Sequence, residues 1–192
     1  MPLKLQTIIC STRPGRVGPS VALWFNEFVK EHGKFEAVLV DLADFNLPVL
    51  DEPNHPIMQN YQHAHTKAWS ASVAAADAYA FVTPEYNYGP TPALVNALDY
   101  VYREWNYKPC GFVSYGGMAG GVRGVQASKL QVTAVKMMPM AEGVAVPMVA
   151  QMIDGNRVFT PNDLIKKAAT QMLDELHRWA EALKPMRSSD SR

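Results

Sequence analysis

Cysteine, net charge and long apolar runs are what this chain of 192 residues has little of. Cys10 and Cys110 are its only cysteines, too few and too far apart for a disulfide framework. Lys and Arg number 18 against 18 Asp and Glu. That balance lacks the basic field that captures nucleic acid or an anionic membrane, and it lacks the acid excess of a strongly acidic docking protein. No apolar stretch approaches the roughly 20 residues of a membrane span. The opening Met1-Pro2-Leu3-Lys4-Leu5 has neither a signal-type apolar core nor a small-residue cleavage site. These absences predict a cytoplasmic protein whose partners include no nucleic acid and no membrane.

The length suits one compact domain with a core that needs no staples. A single domain over 1–183 is expected, with 184–192 as a disordered tail. Along the chain, short apolar runs alternate with segments of helical period. Strands are expected at Leu3–Cys10, Phe35–Leu42, Ala78–Thr83, Pro109–Tyr115 and Ala141–Val149. Helices follow Ser20, Gln62, Leu94 and Val122, and Ile165, Ala168, Met172, Leu176, Trp179 and Leu183 mark a closing helix. Asp44 to Gln59, with Pro48, Pro53 and Pro56, reads as a long surface loop suited to a substrate-side lid.

Strict strand–helix alternation predicts a parallel sheet covered on both faces. The expected fold is therefore α/β: a flavodoxin-like three-layer sandwich with a five-stranded parallel sheet in the order 2-1-3-4-5. Ligands of such sheets sit outside the carboxyl ends of the strands, at the switch point. Three loops leave those ends: Ser11–Ser20, Pro84–Pro92 and Ser114–Gly121.

The first loop, Ser11-Thr12-Arg13-Pro14-Gly15-Arg16-Val17-Gly18-Pro19-Ser20, joins a strand to a helix N-terminus. Free N–H groups and the positive end of the helix dipole favour an anion there. The hydroxyls of Ser11, Thr12 and Ser20 add donors, and Arg13 and Arg16 add cations, with no acid between Cys10 and Asn26. The loop matches neither GxxxxGK[ST] nor GxGxxG. Cys10 and Arg16 do have Cys-x5-Arg spacing, like the nucleophile loop of low-molecular-weight tyrosine phosphatases. Pro14, which lacks an N–H, and the absence of a following Asp-Pro pair count against that chemistry.

The second loop, Thr83-Pro84-Glu85-Tyr86-Asn87-Tyr88-Gly89-Pro90, offers two aromatic faces and an amide between stiffening prolines, with Gly89 available for a tight turn. The third, Ser114-Tyr115-Gly116-Gly117-Met118-Ala119-Gly120-Gly121, has four glycines that let backbone approach a planar ligand. Together the loops outline a ligand with a phosphate at one end and a flat polar heterocycle at the other.

STRPGRVGPS, TPEYNYG followed by PALVNALDY, and SYGGMAGG resemble, in order, the three signatures of the NAD(P)H-dependent FMN reductase family, which includes flavodoxin-like quinone reductases. The resemblance spans roughly residues 3–150. It implies that FMN phosphate is bound by Ser11, Arg13, Val17, Gly18, Pro19 and Ser20, with Arg16 as a phosphate or pyridine-nucleotide contact. The flavin ring would lie along Pro84, Glu85, Tyr86 and Asn87, and its pyrimidine edge along Ser114, Tyr115, Gly116 and Gly117. Cys10 departs from the glycine common in that family. The implied activity is hydride transfer from NAD(P)H to bound FMN, then two electrons to a quinone, flavin, azo or similar small-molecule acceptor by ping-pong. Tyr86, Asn87 and Tyr115 are candidate acceptor contacts, and Arg16 with other rim charges favours NADPH over NADH.

The resemblance also implies a homo-oligomer, dimer or tetramer. The aromatic run of Tyr86, Tyr88, Tyr100, Tyr102, Trp105 and Tyr107 suits either an interface or a core. His55, His63 and His65 lack metal-ligand spacing, since residues two apart on a helix face different sides, so no metal is expected. A flavodoxin-type electron carrier, a flavin-bound redox sensor and the Cys10/Arg16 phosphatase remain alternatives at this stage.

Overall fold

A computed structural model describes residues 2–188. Its strands are β1 (Leu3–Ile9), β2 (Phe35–Asp41), β3 (Ala78–Pro84), β4 (Pro109–Tyr115), β5 (Met138–Pro139) and β6 (Val144–Val146). The α-helices are α1 (Gly18–His32), α2 (Ala64–Ala74), α3 (Pro92–Asp99), α4 (Val122–Ala134) and α5 (Asp163–Ser188). The sheet is parallel in the order β2-β1-β3-β4-β5, with β6 also paired to β4. This is the expected doubly wound order.

Every residue of β4 is buried, and β1 and β3 are nearly so, because helices cover both faces of the inner strands. One core joins β-strand side chains to Val21, Phe25 and Val29 of α1 and to Met172, Leu173 and Leu176 of α5. The other joins the opposite faces to Trp69 of α2, Leu94 and Leu98 of α3 and Val132 of α4. The register sets Ile9 beside Asp41 on one side and Val82 on the other, and Ser114 beside Thr83. The carboxyl ends of β1, β2, β3 and β4 therefore open on one rim.

Three expectations need correction. The fifth strand is two short pieces: Met140 N–H still bonds the Cys110 carbonyl at 2.8 Å, but pairing with β4 resumes only at Val144. Helix α5 runs on through 184–188, where Arg187 Nη2 meets Asp77 Oδ1 at 3.0 Å, so the start of the expected tail is held by an ion pair. Residues 189–192 lie outside the described residues.

The long loop is no free lid. Asn96 Nδ2 donates to the Pro48 carbonyl at 2.6 Å, Leu50 N–H donates to Asn96 Oδ1 at 2.9 Å, and Tyr100 OH donates to Asp51 Oδ1 at 2.9 Å, strapping the loop to α3 and the residue that follows it. In the aromatic run, Tyr100 and Trp105 are fully buried core side chains, whereas Tyr88 is exposed.

Candidate functional site

The first loop folds back on the third. Ser11 Oγ and Tyr115 OH share a hydrogen bond of 3.0 Å across 104 residues, and both side chains are buried. Burial pushes the Tyr115 phenol well above its usual pKa, so it stays protonated. Gly18 lies against this bond: a Cβ there would stand 2.5 Å from Ser11 Oγ and 2.7 Å from Tyr115 OH. No larger residue fits without moving one of them.

Val17 is the N-cap of α1, Gly18 and Pro19 form its first turn, and Ser20 is buried just behind them. No side chain caps that turn and no acidic residue stands in it. The loop thus keeps its positive end open to an anion. Arg13 is exposed at the loop and, among the described residues, donates only to the neighbouring Pro14 carbonyl, at 3.2 Å.

Arg16 is placed otherwise than the sequence implied. Its guanidinium grips Asp41, at the end of β2, with two bonds of 2.6 Å, and it also donates to the Ser11 carbonyl. The paired carboxylate holds Arg16 charged, but that charge is matched by Asp41. Arg16 staples β2 to the first loop.

In the second loop, the Glu85 carboxylate is held by the start of α4. Its Oε2 accepts from the N–H groups of Arg123 (3.0 Å) and Gly124 (3.2 Å), so it caps α4 and ties the second loop to the third. Tyr86 and Gly89 exchange two backbone bonds of 3.0 Å around a tight turn. The left-handed positions of that turn are Asn87 (φ 52°) and Tyr88 (φ 67°), not Gly89. Both central residues at positive φ define a type I′ turn. It lifts Asn87 and Tyr88 into solvent, with the Arg123 guanidinium 4.1 Å above the Tyr88 ring.

The third loop is anchored from behind. Gly116 N–H donates to the Val146 carbonyl at 3.2 Å, and Met148 and Val149 N–H groups donate to Gly117 and Gly116 at 2.9 and 3.0 Å. Ser114 is buried at the end of β4. Gly121 is left-handed at φ 78°, and a Cβ there would meet the Tyr115 carbonyl at 2.9 Å, so the loop can enter α4 only through glycine.

Ser11, Val17, Gly18, Tyr115 and Gly116 are therefore brought together at one rim, with Arg13 at its edge. Pro84 ends β3 beside Tyr115 in the sheet register. A cleft of about 850 Å³ opens next to this rim, reaching from Thr12 and Pro90 across Leu42, Leu47 and Val49 to Asn96.

Cys10 is unfit for nucleophilic attack. Its thiol is fully buried and donates to the Ile8 carbonyl at 3.3 Å, its N–H bonds Val82, and burial raises its pKa well above the usual thiol value. With Arg16 held by Asp41, the phosphatase arrangement is absent. Cys10 and Cys110 are both free and buried.

His63 precedes α2 as its N-cap, so its ring does stack on His65, at 5.2 Å, against Asp51. The expectation of divergent rings assumed a helical His63. Among the described residues no group of three or more His, Cys, Asp and Glu could hold a metal ion, and no helix is long and apolar enough to cross a membrane.

One signal was missed: Arg157, in a turn after β6, donates through Nη2 to the Arg16 carbonyl. Nothing local in the sequence links residues 141 positions apart.

Residues 3–151 match the family model described as NADPH-dependent FMN reductase. An NAD(P)H-dependent FMN reductase of Schizosaccharomyces pombe is 47% identical over 120 residues, which span 62% of this chain and 60% of that protein. Another protein of that description, from a Nectria species, is 36% identical over 186 residues, covering 93% of this chain and 88% of its own length. Among solved structures, the NAD(P)H:(acceptor) oxidoreductase FerB of Paracoccus denitrificans superposes with a TM-score of 0.75 at 18% identity, over 94% of this chain and 98% of that one. At that identity the likeness is one of fold.

Proposed function

The chain belongs to the NADPH-dependent FMN reductase family, and from that premise we propose that it binds FMN at the three-loop rim and uses NAD(P)H to reduce a small-molecule acceptor of the quinone, flavin or azo class. The observation that carries this reading is the junction of Ser11, Gly18 and Tyr115. It fuses a loop suited to a phosphate with a glycine loop suited to a ring edge, at the switch point between β1 and β3.

The residues fit the cofactor. The open first turn of α1 and Arg13 suit a phosphate dianion. The backbone at Gly117, with nothing within 4 Å of where a Cβ would stand, suits the close approach of a flat ring. FMN held here would supply two-electron redox chemistry between a nicotinamide and the acceptor, and a single shared site would make the two half-reactions alternate. Loop two is held by the Glu85 cap, and loop three by the chain after β6, so backbone N–H groups stay fixed where charge develops on the ring edge. Tyr86 and Asn87 are the side chains assigned to line the acceptor position, whereas Tyr115, buried with its neutral hydroxyl bonded to Ser11, supports the loops behind it.

The balanced charge of the chain supports a reductase over a flavodoxin-type carrier, whose docking favours an acidic face. The reading includes a cytoplasmic setting, in keeping with two unpaired buried cysteines. It also includes a homo-oligomer, dimer or tetramer, joined through exposed apolar side chains of the rim such as Tyr88 and Met118.

The test is direct. Purified protein is yellow, releases FMN on denaturation and bleaches anaerobically with NADPH. A colourless protein that binds no FMN sinks the proposal. Rapid mixing checks the alternation of half-reactions: NADPH oxidation that requires the acceptor already bound refutes it. A monomer mass in solution refutes the oligomer.

A further inference from the structure

With Arg16 matched by Asp41, the first loop has fewer available cations than its sequence suggests. The structure brings another from far along the chain. Ile153 and Phe159 form an antiparallel bridge that closes a short hairpin turn. Within it Asp154 N–H donates to the Val158 carbonyl at 3.1 Å, and Asp154 Oδ1 accepts from Asn156 and Val158 N–H at 2.9 and 2.8 Å. The Asp154 carboxylate is thereby turned into its own hairpin.

Phe159 is buried and packs edge-on against Trp24 of α1, ring centroids 5.2 Å apart, which docks the hairpin beside that helix. The exposed tip residue Arg157 then reaches the first loop and donates through Nη2 to the Arg16 carbonyl. That bond occupies a single donor of a guanidinium that carries five. Among the described residues Arg157 forms no ion pair with an acid.

We infer that Arg157 is an electrostatic positioning residue of the phosphate loop: its charge, held on the loop by the Phe159-anchored hairpin, helps retain a phosphomonoester and so selects the phosphorylated flavin over the unphosphorylated one. The inference rests on the proposed FMN site and adds to it a residue outside the three loops. Arg13 reaches the loop from within it and Arg157 from the hairpin, while Arg16 anchors its base. A charge acting on an anion from an exposed side chain is screened by salt. A purely mechanical clamp is not.

The experiment compares FMN and riboflavin binding to the apoprotein by fluorescence titration, at low and at high salt, for wild type, Arg157→Gln and Arg157→Lys. Arg157→Gln is expected to weaken FMN about fivefold at low salt, the upper end for a solvent-screened ion pair, and to leave riboflavin within about twofold of wild type. Arg157→Lys keeps the charge and is expected to keep most of the FMN preference. The difference between wild type and Arg157→Gln shrinks in high salt.

Equal losses for both flavins would make Arg157 a clamp of the loop and overturn the inference. So would no change for either. A wild-type protein that binds neither flavin refutes the FMN site itself, whereas normal wild-type binding with an indifferent Arg157→Gln refutes this inference alone.

Discussion

Replacing Gly18 with alanine should damage stability and cofactor binding together, although alanine is the better helix former. Gly18 is the first residue of α1 and is not left-handed, so the backbone itself tolerates a side chain. Helix propensity taken alone would favour the change by up to about 1 kcal/mol. The space decides otherwise. The new methyl would lie 2.5 Å from Ser11 Oγ, 2.7 Å from Tyr115 OH and 3.3 Å from Ile9 Cγ2. Ser11 and Tyr115 are 1% and 3% exposed, so neither can swing into solvent. Overpacking of this kind costs about 1–3 kcal/mol, and losing the Ser11–Tyr115 bond adds about 1 kcal/mol. Net of propensity, about 1–3 kcal/mol remains, or roughly 3–10 °C in melting temperature for a chain of this size.

The clash also pushes the first and third loops apart, so FMN affinity should fall at least about tenfold, the equivalent of about 1.4 kcal/mol. Thermal melts of the apoprotein and fluorescence titration with FMN measure both effects. Adding Ser11→Ala removes the nearest clashing atom, and the pair should recover part of the lost stability, a non-additivity expected of residues in contact. A Gly18→Ala protein that melts at or above the wild-type temperature and binds FMN normally would show that this junction does not join the two loops.

Arg16 and Arg13 should separate by phenotype. Arg16→Gln leaves Asp41 largely buried without its partner and is expected to destabilise by about 2 kcal/mol, below the range for fully buried pairs because both side chains keep some solvent; Arg13→Gln should melt normally but weaken FMN several-fold in titration. Glu85→Ala removes the cap of α4 and should lower stability by about 1 kcal/mol in urea unfolding, and loss of FMN without loss of stability would instead make Glu85 a ligand contact. Cys10 should resist iodoacetamide in the folded protein as pH rises to about 9, where an ordinary thiol is largely ionised, because burial holds its pKa higher still. It should react at once on unfolding; fast alkylation of native protein would refute the buried, protonated thiol. Cys10→Ala should leave reductase activity within about twofold, since only the thiol is lost and it donates inward, to the Ile8 carbonyl.

Much of the architecture is legible locally. The buried runs of β1, β3 and β4, each closed by Gly, Pro or Ser, announce strands, and the helical period of Val21, Phe25 and Val29 announces α1. The interruption after Met140 was not legible, because Ala141–Val149 is apolar enough to pass for one strand. Whether each residue pairs with β4 depends on the register, which is not written in composition. The tight turn lies in the loop where Gly89 signals one, but Gly89 does not take its left-handed positions. Glycine is the usual signal for positive φ, and here Asn87 and Tyr88 take it while Gly89 closes the backbone bridge.

The sequence by itself determined the alternation of strands and helices, the three loops at the strand ends and the family to which they belong, because periodicity, turn residues and contiguous motifs are local records. Tertiary structure alone decided which charges meet. Asp41 stands at the end of β2, 25 residues from Arg16, and the parallel register of β1 with β2 brings it to the first loop. Arg157 arrives across 141 residues because Phe159 finds Trp24. A chain of balanced charge can therefore present a basic-looking loop whose Arg16 is already matched. The partner of a charged side chain is set by packing, and packing is not a local property.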